Sequence, residues 1–311
     1  MIRPAAAGLV LGMITACILA SAGPAHGQGA GSGASTVLRI PPSPRALALG
    51  NAMVAVQDLW SREYNPAASA ETIVVGAAYQ TLPVGASAGA MALTAPVRSD
   101  LVLGLSLRFV DYGEIDVIEP DPTGPVGHPT GATARGGELA ALFGGAATVG
   151  PLRLGLAGRW LRLEVAGLVD DALAADAGAV LDVGRGLSLA ASAQNIAGTL
   201  EAGRAAPLPR TFRGGASLTG ARGPLSGLLA IEGRHREART GVGAGLELGA
   251  AWDSMEAVGR LGFETRPHSG DAYSRFTFGG GVRVDRLSID LAYRALGPLG
   301  STRQVGIGYR F

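Results

Sequence analysis

The chain has 311 residues, a formal net charge of +1 and 49 glycines. Hydrophobic residues make up 47% of the chain and charged residues 16%, whereas soluble domains average about 25% charged residues and about 7% glycine. This composition argues against a disordered chain, a coiled coil or an ordinary soluble enzyme, and the near-neutral charge gives no basis for binding nucleic acid. The single cysteine, Cys17, excludes an internal disulfide framework and a cysteine-based zinc cluster.

The first 27 residues are typical of a secretory signal peptide. An apolar run from Ala5 to Ala22 ends at the small residues Ala25-His26-Gly27, where cleavage is predicted. Two alternatives are a retained membrane helix and a lipid anchor on Cys17, because Ile14-Thr15-Ala16-Cys17 resembles a lipobox. No apolar run of about 18 residues follows Gly27, which excludes a helical membrane protein.

From about Ile73 to the end, apolar residues recur at every second position, the spacing of strands with two different faces. On three strands the apolar positions are Leu101, Leu103, Leu105, Leu107 and Phe109; Leu287, Ile289, Leu291 and Tyr293; and Val305, Ile307, Tyr309 and Phe311. A soluble β-sandwich would cover this face with a second sheet, whereas a membrane barrel exposes it to lipid and lines its lumen with the polar face.

The connections between strands favour the barrel. Fourteen segments of roughly ten residues are predicted, at 72–80, 84–95, 100–111, 136–149, 151–165, 173–184, 186–196, 210–219, 225–234, 240–251, 256–265, 274–284, 286–294 and 303–311. Connectors after even-numbered segments are short, such as Gly184-Arg185-Gly186 and Asp285-Arg286, and the others are longer, such as 112–135, 166–172 and 197–209. A membrane imposes this alternation, so we predict an all-β, transmembrane antiparallel β-barrel of about 14 strands in the bacterial outer membrane, surrounded by its lipid.

A barrel of this size needs something in its lumen, since it is wider than the eight-stranded kind that side chains fill. We predict that residues 28–71 form a linker and a short plug, with helix or turns from Pro44 to Glu71, and that 72–311 form the barrel. The alternative is a surface helix at the periplasmic mouth. Charged residues predicted to face the lumen, as ion pairs or plug contacts, are Arg108, Arg260, Glu264, Arg275, Arg283, Asp290, Arg294 and Arg310.

Several motifs resemble one family. The stretch Arg45 to Asp58, followed by Tyr64-Asn65-Pro66-Ala67-Ala68, is similar to the amino-terminal signature of PorV/PorQ proteins, relatives of the FadL fatty-acid transporter. Phe109 to Asp116, Ser192 to Ile196 with Pro207 to Gly215, and Ile289 to Tyr293 resemble later blocks in the same order. The plug and turn residues of the signature are Gly50, Asn51, Asp58, Asn65 and Pro66. Trp60, Arg62 and Glu63 depart from the family's pattern before Asn65.

The resemblance implies a non-enzymatic barrel associated with protein export, of the type IX kind, with secretion-system proteins or exported cargo as partners. The alternative is a FadL-like transporter in which a small hydrophobic molecule leaves sideways through a kinked wall strand, and a third is a purely structural barrel. An apolar pocket between 46–59 and the wall would favour transport, and a fully plugged lumen with an ordered 111–135 loop would favour cargo binding.

No cofactor or metal site is predicted. The four histidines, at 26, 128, 235 and 268, lack metal-ligand spacing. The glycines of Gly241-Val242-Gly243-Ala244-Gly245 lie within an alternating strand and are barrel glycines rather than a nucleotide loop. A membrane phospholipase with His235 or His268 as base and a nearby serine is the enzymatic alternative, but neither histidine has an evident orienting partner.

Overall fold

The computed structural model describes residues 35–119, 127–196, 198–200, 206–236, 239–265 and 274–311. The predicted signal peptide, residues 1–27, therefore lies outside the described residues. The strands are Val74–Thr81 (β1), Ser87–Arg98 (β2), Leu101–Glu119 (β3), His128–Val149 (β4), Leu152–Val165 (β5), Leu168–Gly184 (β6), Leu187–Ile196 (β7), Thr199–Leu200 (β8), Ala206–Pro207 (β9), Thr211–Arg222 (β10), Leu225–Arg236 (β11), Arg239–Trp252 (β12), Met255–Glu264 (β13), Phe276–Val284 (β14), Leu287–Ala295 (β15) and Ser301–Arg310 (β16).

Fourteen of these strands form one closed antiparallel barrel, in which β1 pairs with both β2 and β16. The two short strands β8 and β9 pair only with each other, within the connection between β7 and β10. The predicted fold class is confirmed, and each of the fourteen predicted segments coincides with one barrel strand. Closure pairs every strand on both sides, which is what a sheet needs in lipid, where no water can satisfy a free edge.

One end of the barrel carries only tight turns, each of two residues, at 99–100, 150–151, 185–186, 223–224, 253–254 and 285–286. Several of these turns place Gly, Asp or Arg at positive φ, as short hairpins require. The opposite end carries longer connections, including 82–86, 197–210 and 265–275. By this asymmetry the tight-turn end is periplasmic and the other end extracellular.

Two predicted loops are instead mostly strand. The prediction of a loop at 166–172 is wrong, because β5 and β6 continue to a two-residue turn at Ala166-Gly167. Both residues of this turn have positive φ. The 112–135 loop is wrong in the same way, since β3 reaches Glu119 and β4 begins at His128. Polar strand ends beyond the membrane carry no apolar alternation, so sequence periodicity misses them.

The two faces of the wall follow the predicted alternation. On β3, Leu105, Leu107 and Phe109 are exposed on the outside, whereas Ser106 and Arg108 are buried inside. The same holds on β15, where Ile289 and Leu291 are exposed outside the barrel. Among the described residues, no helix is long and apolar enough to cross a membrane.

The segment 35–72 occupies the lumen, and we call it the plug. It contains the helix Pro44–Ala48 (α1), capped by Ser43 Oγ, which accepts from the Ala46 amide at 3.2 Å, and a 3-10 turn at Ser61–Glu63. Leu47, Leu49 and Met53 are fully buried. The plug therefore lies inside the barrel and not on a surface at its mouth.

Wall glycines let the plug backbone lie directly against the strands. A Cβ at Gly262 on β13 would come within 2.5 Å of the Ala48 carbonyl oxygen, and one at Gly155 on β5 within 2.7 Å of Ala67 Cα. Only a residue without a side chain fits at such points. Part of the high glycine content thus marks where plug and wall touch.

Candidate functional site

The signature residues of the plug hold its turns and fasten it to the wall. Gly50 and Asn51 both have positive φ, and Asn51 Oδ1 accepts from the Tyr64 hydroxyl at 2.8 Å. Asp58 accepts from Arg45 at 2.6 Å and from the Trp60 amide at 2.9 Å.

Asn65 joins the plug to the wall through its side-chain amide. Its Nδ2 donates to the carbonyl of Val54 at 2.9 Å and to that of Ala179 on β6 at 3.2 Å. Its Oδ1 accepts from the Ala67 amide at 3.0 Å across Pro66. The Asn-Pro turn is therefore a plug-to-wall fastening as well as a change of chain direction.

Glu63 is the centre of a buried ion-pair network. Its carboxylate accepts from Arg159 at 2.9 Å, from Arg108 at 3.2 Å and from the Ser106 hydroxyl. Burial alone would raise the pKa of Glu63, but Arg159 and Arg108 together with the hydrogen bonds hold this pKa at about 2. Arg159 also pairs with Asp176 at 2.8 Å. Ion pairs thus join the plug to β3 and β5, and Arg159 links this site to β6.

Arg62, next to Glu63, is buried without hydrogen-bond partners for its two terminal nitrogens among the described residues. Its guanidinium lies against the wall at Gly104. Burial lowers the pKa of Arg62 to about 10, and the neighbouring charge of Glu63 opposes this shift. The departure from the family's pattern at 60–63 therefore puts both an ion-pair centre and a poorly solvated cation into the plug.

Several of the predicted lumen charges lie in two further ion-pair groups. Arg260 pairs with Glu247 and with Asp290, each at 2.5 Å, and Glu247 also pairs with Arg45 of the plug at 2.8 Å. Glu264 pairs with Arg294 and, at 2.6 Å, with Arg234.

The remaining predicted charges lie nearer the barrel ends. Arg283 pairs with Glu256 towards the periplasm, and Arg310 lines a cavity at that mouth. Arg275 has an exposed side chain before β14, and its backbone carbonyl accepts from the Glu264 amide at 2.8 Å.

Sequence reasoning missed half of the network. The predicted lumen charges leave out Glu63, Arg159, Asp176, Arg213 and Glu232, although all five are buried. Glu232 is fully buried and accepts from Arg213 and from the amides of Met53 and Val54. For the four strand residues, a charged residue at an inward position of an otherwise apolar or small-residue strand could have indicated a lumen charge.

A cavity of about 550 Å³ opens at the periplasmic mouth. It lies between the plug and β10 to β16, and charged side chains such as Arg45, Asp58, Glu256 and Arg286 line it. This cavity, next to the 46–59 segment, is polar and is not the apolar pocket expected there for transport.

The extracellular half of the lumen holds an apolar cluster instead. Val37 and Leu38 of the plug, Leu200 and Leu208 of the β7–β10 connection, and Leu161 of the wall are all buried in it. Glu138 anchors the plug's start here, accepting from the amides of Thr36 at 2.7 Å and Val37 at 3.0 Å. Among the described residues, apolar packing therefore fills this part of the lumen. The tip of the first long loop, 120–126, lies outside the described residues, so the expected ordered 111–135 loop is seen only at its two strand ends.

An apolar groove of about 620 Å³ lies on the outer face of the wall between β3 and β7. Ala179, Leu181 and Ala191 occupy outward positions yet are at most 2% exposed. The residues lining the groove are Leu101, Gly145, Ala147, Leu154, Gly155, Leu156, Ala177, Gly178, Ala191, Ser192 and Ala193. We call it the wall groove.

The wall groove adjoins an irregular seam between β6 and β7. Ala177 pairs with Ala193 and Ala175 with Ile196, so Gln194 and Asn195 together oppose Asp176. This is a β-bulge. Asn195 has φ +57°, and its amide donates to the Asp176 carboxylate at 2.7 Å instead of to a strand carbonyl. Such a seam lacks part of its backbone ladder.

Behind the floor of the wall groove lies the plug. Gly155 and Gly178 face the plug residues Asn65, Pro66 and Ala67 so closely that neither position has room for a Cβ. One layer of backbone therefore separates the membrane from the Asn-Pro turn.

The described residues contain no group of three or more His, Cys, Asp or Glu side chains able to hold a metal ion. His235 Nδ1 lies 3.0 Å from Thr240 Oγ1, and His268 lies outside the described residues. Neither observation provides a nucleophile and base in contact.

No protein-family model and no curated protein matches the chain. Solved structures match its fold. The toluene transporter TodX of Pseudomonas putida has a TM-score of 0.57 and 11% identity, over 86% of this chain and 97% of that chain, and the CymD monoaromatic hydrocarbon channel has a TM-score of 0.60 and 11% identity, over 89% of this chain and 99% of that chain. A Pseudomonas aeruginosa FadL homologue has a TM-score of 0.52 and 11% identity, over 86% of this chain and 95% of that chain. At this identity the match shows the fold, which is that of FadL-type outer-membrane channels. With its apolar outer belt, that fold places the barrel in the bacterial outer membrane.

Proposed function

We propose that the protein is a non-enzymatic channel that passes small hydrophobic molecules across the outer membrane through its side wall. The wall groove is the observation that carries this proposal. It is an apolar indentation on the lipid-facing side, and it lies beside the one-residue bulge of the β6–β7 seam. The structural neighbours described as a toluene transporter and a hydrocarbon channel support the same class of substrate.

The route runs from the extracellular apolar cluster to the wall groove. Ala172 and Ala174 of β6 pack into that cluster, and the bulge at Asp176 is the next inward position along the same strand. Separation of Leu200 and Leu208 from the wall would admit an apolar molecule to the cluster. Opening of the seam would then release it into the groove, so that it never has to cross the charged periplasmic mouth.

The substrate should be small and uncharged. A groove of about 620 Å³ is within the range of roughly 300–1,000 Å³ for small-molecule sites. Its lining carries no ionisable side chain, whereas a charged group would lose its hydration on entering lipid at large cost. Monoaromatic hydrocarbons fit both conditions.

The test is uptake of a labelled monoaromatic hydrocarbon by liposomes containing the protein. We expect faster uptake than by empty liposomes. Ala177→Leu with Ala193→Leu fills the groove from the lipid side and should slow uptake, whereas Gly259→Leu, at an outward position with open space on β13, should leave it unchanged. Rates equal to those of empty liposomes would overturn the proposal.

The export-associated role rests on the PorV/PorQ resemblance, and the structural neighbours named above are described as channels or transporters. The observation in its favour is the β3–β4 hairpin, which extends beyond the barrel and exposes Val117 and Ile118. Deleting 120–130 would abolish capture of exported proteins without reducing barrel assembly if this role holds. Unchanged capture, combined with hydrocarbon uptake, would leave transport as the function.

A further inference from the structure

A second, smaller cavity of about 50 Å³ lies inside the barrel between the plug and the wall. It is separate from the wall groove and from the periplasmic mouth. Its charged and hydrogen-bonding lining consists of Arg39, Asn51, Glu63, Tyr64, Arg108, Arg213, Arg234, Arg236 and Glu264. The cavity therefore touches both the plug and four wall strands, β3, β10, β11 and β13.

Among the described residues, positive charge exceeds negative charge around this cavity. The ion-pair network beside it contains the arginines Arg108, Arg159, Arg213, Arg234 and Arg294 and the carboxylates Glu63, Asp176, Glu232 and Glu264, and Arg236 lines the cavity as a sixth arginine outside these ion pairs. With Arg39 left aside, these six cations face four anions. Arginine keeps its proton in proteins, so the excess cannot be removed by deprotonation.

The carboxylates are already shared. Glu63 forms ion pairs with Arg108 and Arg159. Glu232 forms an ion pair with Arg213 and lies 3.9 Å from Arg234. Glu264 forms ion pairs with Arg234 and Arg294. Arg108 and Arg159 are balanced by Glu63 and Asp176. Arg213, Arg234 and Arg294 share only Glu232 and Glu264, so this second group keeps a net positive charge.

Arg236 is the clearest case of a cation without a carboxylate. Its Nε donates to the neutral hydroxyl of Thr211 at 2.9 Å, and it makes no ion pair among the described residues. Arg236 is only partly exposed, and a charge that has lost much of its water is stabilised by an ion-pair partner. The cavity in front of Arg236 is where the missing partner would lie.

We infer that this cavity binds one small monovalent anion of halide size, such as chloride. A volume of about 50 Å³ exceeds the roughly 10–15 Å³ that a single water requires, so the space admits a small anion of halide size. Guanidinium N–H groups from several sides provide charge-assisted donors. Because the lining comes from both plug and wall, the anion would help to hold the plug in place.

Bromide is the probe, since it is chloride-like and is located by anomalous diffraction. Crystals of the full barrel grown in sodium bromide should show one anomalous peak within the cavity lined by Arg213, Arg234 and Arg236. Arg236→Gln should weaken bromide binding at least about tenfold. The matched control is Arg222→Gln, which removes the same charge at an exposed position near the periplasmic turn of β10.

Solution stability provides the second measurement. At equal ionic strength, Tm should be higher in chloride than in gluconate, which is too large for the cavity, and this difference should vanish in Arg236→Gln but persist in Arg222→Gln. An anomalous peak in the cavity together with this anion dependence supports the inference. A cavity without bromide, with Arg236 paired to a carboxylate of the chain, would overturn it, and so would equal Tm values in the two salts.

Discussion

Gly262 provides a direct test of how tightly the plug is seated. A methyl group there would lie 2.5 Å from the Ala48 carbonyl oxygen, against a normal carbon–oxygen contact of about 3.3 Å or more. The plug backbone would have to move by at least about 0.8 Å, because the Gly50 amide nitrogen would lie still closer, at 2.2 Å. Overpacking of this kind costs about 1–3 kcal/mol, so Gly262→Ala should lower the free energy of plug release by that amount.

Gly259 on the same strand is the matched control. It points outward, and no atom lies within 4 Å of the position of an added methyl group. Replacing glycine by alanine where the backbone allows it stabilises by about 0.4–1 kcal/mol, so Gly259→Ala should be neutral or slightly stabilising.

Trp60 provides the assay, because it is buried in the plug. With the wall residues Trp160 and Trp252 changed to phenylalanine, Trp60 is the only tryptophan left, and its fluorescence during urea titration reports release of the plug. A lower midpoint for Gly262→Ala but not for Gly259→Ala supports the close contact. Equal midpoints for the two variants would refute it.

Three further outcomes are expected. Glu63→Gln leaves two buried arginines without their shared carboxylate and should destabilise the plug by about 3–5 kcal/mol, measured with the same Trp60 signal. The pKa of Glu63 is held at about 2, below its ordinary 4.5. Its carboxylate therefore stabilises the plug fully above about pH 4.5, and this stabilisation is lost as the pH falls towards 2. A urea midpoint that is unchanged across this pH range would contradict the assignment. Asn65→Ala removes the hydrogen bonds to Val54 and Ala179 and should cost about 1–3 kcal/mol, seen as faster proteolysis of the plug.

The barrel could be predicted from the sequence because a membrane imposes two simple rules. Outward positions must be apolar, which gives the period of two on β3, β15 and β16, and one end must carry short turns. Strand ends outside the membrane obey neither rule. This is why β3 and β4 extend into the predicted 112–135 loop, and why the sequence predicts a longer loop at Ala166-Gly167.

The interior was only partly predictable. The alternation of apolar and polar residues along a strand identifies charged residues that face the lumen, such as Arg260 and Asp290. Their ion-pair partners, however, depend on which strands become neighbours and on the path of the plug. Glu63 meets Arg159 across 96 positions of the chain. Nothing local to either residue indicates that contact, and the same is true of the glycines that face the plug.

The position of the wall groove was not predicted, because no residue pattern marks the bulge beside it. Ala177 and Ala193 look like ordinary small wall residues in the sequence. The extra residue at Asn195 and a second register shift between Asp182 and Gly184, both visible in the pairing of β6 with β7, distinguish this seam from its neighbours.

The most direct test of the account is to lock this seam. Ala177 and Ala193 are partners across β6 and β7, and partnered positions in antiparallel strands lie within the Cα separation that a disulfide spans. The only native cysteine, Cys17, lies in the predicted signal peptide. A control lock joins Leu248 and Gly259, which are partners across β12 and β13.

The measurement is hydrocarbon uptake by liposomes carrying Ala177→Cys with Ala193→Cys, before and after reduction. We expect oxidation to stop uptake and reduction to restore it, while Leu248→Cys with Gly259→Cys transports equally in both states. Uptake at an unchanged rate through the oxidised β6–β7 lock would contradict passage through this part of the wall.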